Sequence, residues 1–146
     1  IKRKIEELIL KHNIRMVIID YVQLMKLSKT SGDRTSDLST ITRDLKALAN
    51  EVNIPIIILA QLSRSVDDRP NKRPMLRDLK QSGSIEEDSD TVIFLLRKAY
   101  YEAAHGNSLP DNVVGATDMI IAKGRNTGTR DFKTFLDFKN YDFRSA

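Results

Sequence analysis

The sequence predicts an α/β fold, a mostly parallel sheet with helices on both faces and a C-terminal antiparallel hairpin. Two observations carry that expectation. Met16-Val17-Ile18-Ile19-Asp20 and Ile56-Ile57-Ile58-Leu59-Ala60 are near-continuous apolar runs on either side of a long helical pattern, and strand, helix, strand with fully apolar strands is a βαβ unit in a parallel sheet. Two later runs flank a turn around Asn126-Thr127-Gly128, which reads as an antiparallel hairpin at the sheet's edge.

Taken in order, Ile5, Leu8 and Ile9 put residues 2–12 in a helix, and Met16–Asp20 follows as a buried strand ending on an acid. After a polar loop from Lys26 to Ser36, Leu38, Ile41, Leu45, Leu48 and Val52 recur at intervals of three and four, with Thr35 or Ser36 as the N-cap. Pro55 stops that helix, and Ile56–Ala60 forms a second strand ending on Gln61. The charged, turn-rich stretch from Ser63 to Asp90 is too long for a passive connection and marks a functional loop. Thr91–Leu96 is a further strand, Lys98 to Thr117 is irregular, and Met119–Lys123 with Phe132–Phe138 supplies the hairpin.

A chain of 146 residues with 40 % apolar content can build one core, so residues 1–146 are expected to be one domain. It begins with Ile and enters charged helical text at once, and it reads as a partial domain cut from a longer protein. No apolar run approaches the roughly 18 residues that span a bilayer, and no signal pattern opens the chain, which predicts a soluble protein. Without cysteine there is no disulfide or thiolate site, and two isolated histidines, His12 and His105, argue against zinc. A net charge of +4 permits a polyanionic partner without requiring one.

Asp20 puts a carboxylate at the C-terminal edge of a parallel sheet, where open α/β sheets bind ligands and where an acid can hold Mg²⁺ against nucleotide phosphates. The same pattern also ends ordinary strands. Gln61 stands at that edge of the next strand, and its amide can orient a water or sense a γ-phosphate, or simply be a satisfied polar strand end. Lys123 and Arg125 lie two apart, continuing the face of Met119 and Ile121, and can project past the edge toward a neighbouring subunit's nucleotide; a solvated basic strand end is the plainer alternative. Within the long loop, Lys80, Gln81 and Gly83 offer a cation, an amide and free backbone N–H groups to a phosphodiester, although Glu86, Glu87, Asp88 and Asp90 crowd the same region.

Over about Ile14 to Phe143 the text resembles the DnaB-like replicative helicase family. MVIIDYVQLM is similar to its Walker B segment. LAQLSRSVDDRPNKRPMLRDLKQSGSIEEDSDTVIFLLR resembles its glutamine-sensor strand, DNA-binding loop and following strand, and IIAKGRNTGT its arginine-finger hairpin. The resemblance implies a RecA-like ATPase domain of the P-loop NTPase type. It further implies a homo-hexameric ring in the bacterial or phage-infected cytoplasm that moves on single-stranded DNA with ATP and Mg²⁺, with primase and a helicase loader as partners. By position, Asp20 is then the Mg²⁺-linked acid acting through water, and Gln61 the γ-phosphate sensor. Lys123 and Arg125 are the pair offered in trans, and Lys80, Gln81 and Gly83 the DNA contacts in the 63–90 loop region.

Three departures qualify that reading. No G-x-x-x-x-G-K-[ST] string occurs, nor the upstream glutamate that would activate water, so the isolated chain is expected neither to hydrolyse ATP nor to bind single strands other than weakly, salt-sensitively and without base preference. Lys80-Gln81 stands where the family often has Arg-Glu, replacing a fork by a point charge. The turn after Arg125 is shorter than the family's usual Asn-Gly-Pro-containing one, which points to a phage or mobile-element branch. A RecA-like recombinase, another ring ATPase, or a non-catalytic DNA-binding or oligomerisation remnant would use several of the same residues.

Overall fold

Apolar residues spaced three and four apart wind Lys2–His12 into α1 in the computed structural model, which describes residues 2–104, 115–137, 140 and 142–145; His105 and Phe138 lie outside these. The chain divides into two units, Ile1–Ser63 with Arg77–Ser89, and Arg64–Leu76 with Asp90–Ala146.

In the first unit, α1 leads into β1 (Val17–Ile19), α2 (Arg34–Val52) and β2 (Ile56–Ile58). The two strands pair in parallel with Val17 opposite Ile56 and Ile19 opposite Ile58, the βαβ unit expected. Four of the five expected apolar positions of α2 form its buried face, Leu38, Ile41, Leu45 and Leu48 each being 7 % exposed or less; the fifth, Val52, is half-buried. Burying such side chains is worth about 2 kcal/mol apiece, so α2 has four such anchors where α1 has one, Ile5. The cover is one-sided on the strands. Ile18 and Ile57 face each other across the pair yet are 58 % and 47 % exposed, so among the described residues this face of the pair is left open where both faces were expected to be covered.

The cap of α2 is Asp33, rather than Thr35 or Ser36. Its carboxylate accepts from the Thr35 and Ser36 amides at 3.1 and 3.0 Å, satisfying donors that a helix N-terminus otherwise leaves unpaired. An Asp33→Ala variant is expected to lose about 1 kcal/mol of stability, read as a lower urea midpoint. Behind the cap, buried Asp37 accepts from the Thr30 hydroxyl and from the Ser31 amide at 2.7 Å. These bonds hold the carboxyl below its usual range, the Thr30 hydroxyl contributing most. A depressed carboxyl stabilises the fold above the unfolded value of about 3.9 and loses that contribution as pH falls through the folded value. Asp37→Asn should therefore lower the melting temperature near neutral pH, and the gap from wild type should narrow below about pH 4.

The expected loop from Ser63 to Asp90 contains local structure: 3-10 segments at Arg64–Val66 and Leu76–Ser82, and α3 at Gly83–Asp88. Within the first unit, α3 is tied to α2 by buried Thr42, whose hydroxyl lies 2.6 Å from Asp88 Oδ2 and 3.0 Å from Ser84 Oγ.

The second unit is a four-stranded antiparallel sheet ordered β3-β4-β5-β6, with β3 at Thr91–Leu96, β4 at Ala116–Gly124, β5 at Arg130–Asp137 and β6 at Asp142–Ser145. The mostly parallel sheet thus holds for the β1–β2 pair, and every described strand from Thr91 onward pairs antiparallel. The β3 side chains show why: Val92, Phe94 and Leu96 are buried while Ile93 and Leu95 are 50 % and 57 % exposed, the alternation of a sheet packed on one face only. Part of the irregular 98–117 stretch is helical, as α4 (Lys98–Ala104), and β6 was not expected. The hairpin turn needs its glycines. Gly128 has φ +69, and a Cβ on Gly124 would run into Thr127 Oγ1 and the Gly128 carbonyl.

Candidate functional site

The C-terminal edge of the β1–β2 pair is built by a ladder that outlasts the strands. Leu59 N–H donates to Ile19 at 2.9 Å and Val22 N–H to Leu59 at 2.9 Å, which brings the segment after Asp20 alongside the segment approaching Gln61. Asp20 is exposed at this edge, its peptide bond to Tyr21 is cis, and Val22 is fully buried as the anchor of the following 3-10 turn, Val22–Leu24.

Gln61 is fixed there by a residue that sequence reasoning did not single out. The Gln23 side chain donates from Nε2 to the Gln61 carbonyl at 3.1 Å and accepts the Gln61 amide on Oε1 at 3.2 Å. Gln23 is itself held, since Arg34, the first residue of α2, donates to the Gln23 carbonyl at 2.6 Å and to the Met25 carbonyl at 2.9 Å. The only signal in the sequence was an amide and a cation flanking a polar loop; their partners are main-chain groups, which carry no sequence mark. Two residues beyond Gln61, the Ser63 amide donates to the carbonyl of Asp78 at 3.0 Å, and Asp78 is 2 % exposed. The Gln61 segment is thereby joined to the 3-10 segment Leu76–Ser82, which contains Lys80 and Gln81 and is followed by Gly83 at the start of α3.

Lys123 and Arg125 belong to the second unit, and their setting differs from the one the spacing suggested. A β-bulge sits between Val92 and Ile93: Ile93 pairs with Ile121, but Val92 pairs with Lys123, so Ala122 is the extra residue. Cross-strand partners share a face, and Val92 and Ile93 are on opposite faces. The bulge therefore moves Lys123 off the Met119–Ile121 face. Such a bulge re-aims a side chain at the end of a strand. Arg125 stands one residue past β4, with its amide donating to the Asp90 carbonyl at 2.9 Å and its guanidinium 3.6 Å from the Asp90 carboxylate. Both side chains are about half exposed, and an ion pair in that setting is worth at most about 1 kcal/mol.

The turn's base is fastened from the opposite side of the hairpin. Arg73 forms a two-pronged pair with Asp131 of β5 at 2.8 and 3.0 Å; the contact holds the Asp131 carboxyl below its usual range and raises Arg73. Among the described residues no cluster of three or more His, Cys, Asp and Glu is placed to hold a metal by itself, and no helix is long and apolar enough to cross a membrane.

Residues 1–145 match the family described as DnaB-like helicase C terminal domain. A probable replicative DNA helicase of Trieres chinensis is 47 % identical over 128 residues, covering 86 % of this chain and 28 % of that protein. Replicative DNA helicase DnaB of Rickettsia felis is 42 % identical over 138 residues, covering 87 % of the chain and 28 % of the relative. Two solved structures, one described as an ATPase domain and the other as a DnaB-like replicative helicase and its interactions with primase, each superpose on 99 % of the chain with a TM-score of 0.83 at 36 % identity. The chain covers 50 % of the first and 33 % of the second.

Proposed function

The chain belongs to the DnaB-like helicase C-terminal domain family, and we propose that it is part of the motor of an ATP-dependent replicative DNA helicase, in a homo-hexameric ring that translocates on single-stranded DNA and unwinds duplex. The fold is the RecA-like ATPase type of its structural neighbours. The observation that supports the proposal is that Asp20 and Gln61 both follow the C-terminal ends of a parallel pair of strands, the edge at which α/β sheets take their ligands.

Asp20 fits the acid that positions nucleotide-bound Mg²⁺ through water. A single exposed carboxylate suits Mg²⁺, which keeps most of its waters and leans on substrate phosphates instead of an all-protein cage. When bound, that ion neutralises charge on the phosphates. Gln61 presents an amide able to donate to a γ-phosphate oxygen and accept from a water. Lys123 and Arg125 supply the charge that a neighbouring subunit's nucleotide needs in its transition state. Lys80, Gln81 and Gly83 lie in the segment that meets the DNA backbone, where contact is to phosphate and carries no base preference. Primase and a helicase loader are the partners of the ring, and the bacterial or phage-infected cytoplasm is its place of work.

The test is ATP turnover by the full-length parent with and without single-stranded DNA, alongside strand displacement on a forked duplex. DNA-stimulated turnover with unwinding supports the helicase. Strand exchange without unwinding would move the assignment to a recombinase, and no turnover at all would make the chain a non-catalytic remnant.

A further inference from the structure

Gln23 is used by none of the roles above, yet its contacts are specific. A glutamine side chain that both donates to and accepts from one residue's backbone copies the pairing of a β-ladder. Here it lies where the β1–β2 ladder has ended, with Nε2 3.1 Å from the Gln61 carbonyl and Oε1 3.2 Å from the Gln61 amide. The Gln23 main chain is pinned in turn by the Arg34 guanidinium at 2.6 Å, and the buried side chain of Val22 anchors the same turn. Gln61 follows β2 with no regular structure of its own, and this pair of bonds holds its amide and carbonyl between the ladder bond at Leu59 and the one at Ser63.

We infer that Gln23 is a positioning residue of the ATPase reaction: it holds the backbone of Gln61 so that the Gln61 side chain keeps the orientation that hydrolysis requires. The inference rests on the motor reading above. It assigns no contact between Gln23 and nucleotide. Its effect therefore belongs in the chemical step and passes entirely through Gln61, because misplacing a catalytic group costs rate even where substrate still binds.

The experiment is a double-mutant cycle in the full-length parent, reading DNA-stimulated ATP turnover for wild type, Gln23→Met, Gln61→Ala and the double variant. Met keeps the length and bulk of the side chain and removes both bonds, each worth roughly a fewfold factor. Gln23→Met should lower kcat about tenfold with KM for ATP changed less than about twofold. In the Gln61→Ala background the same change should cost nothing further, since the group it positions is gone. Gln23→Glu, which keeps only the acceptor, should fall between wild type and Gln23→Met. An equal loss in both backgrounds would show a general structural role and overturn the inference, as would an unchanged kcat in Gln23→Met. An inactive wild type would instead overturn the motor reading itself.

Discussion

A full-length ring carrying Arg125→Ala in every subunit is expected to lose about 10³-fold in DNA-stimulated ATP turnover, the lower end of what a trans arginine contributes to phosphoryl transfer. The expectation follows from where Arg125 stands. It lies one residue beyond β4, its side chain about half exposed, with its guanidinium 3.6 Å from the Asp90 carboxylate. A surface pair of this kind contributes at most about 1 kcal/mol. Removing it leaves the hairpin intact, because the Arg125 amide bond to Asp90 and the Gly124–Gly128 turn are main-chain features. The loss should therefore appear in kcat with little change in melting temperature. Mixing Arg125→Ala subunits into wild type at constant total protein separates the modes of action. Turnover falling more steeply than the wild-type fraction means that sites around the ring depend on one another; proportional fall means independent sites. Turnover unchanged in the pure variant would reduce Lys123 and Arg125 to a solvated strand end.

Asp20→Ala is the second large expectation. The carboxylate sits at the open end of β1, and the described residues hold no group of carboxylates able to replace it. Loss of several kcal/mol of charge positioning corresponds to about 10²-fold or more in turnover. It should come with a rightward shift of the Mg²⁺ concentration needed to retain a fluorescent ATP analogue, a binding readout independent of hydrolysis. The Mg²⁺ curve staying where wild type puts it would remove Asp20 from the metal's surroundings. Gln61→Ala should leave that curve in place while lowering turnover, which distinguishes the two polar ends of one sheet edge.

Much of this was readable from the chain because apolar spacing is a strong signal where burial is strong. The periodic face of α2 is recognisable since it buries side chains in a regular rhythm, and β1 and β2 are recognisable as unbroken apolar runs although their central residues, Ile18 and Ile57, stay exposed. The hairpin announced itself through Asn126-Thr127-Gly128. The face of Lys123 was misread for an equally physical reason: a bulge at Ala122 inserts one residue without altering composition, and a period-of-two argument carried across it lands on the wrong side. Asp33 was passed over as a cap because Thr35 and Ser36, whose own amides it binds, are equally good capping types. Gln23 and Arg34 stayed hidden because both act on backbone carbonyls and amides, and α4 and β6 because neither carries a long apolar rhythm of its own.

The bond from the Ser63 amide to the Asp78 carbonyl has a consequence for how such a protein can diverge. It joins the Gln61 segment to the one containing Lys80, and it is made by main-chain atoms alone, so it is indifferent to which side chains occupy either position. Substitutions at either end can recast the polarity and size of the neighbourhood while the bond itself asks nothing of the new side chains. Only proline at position 63, which has no N–H to give, deletes it in a single step. A link written in backbone is the part of a machine that sequence drift reaches last.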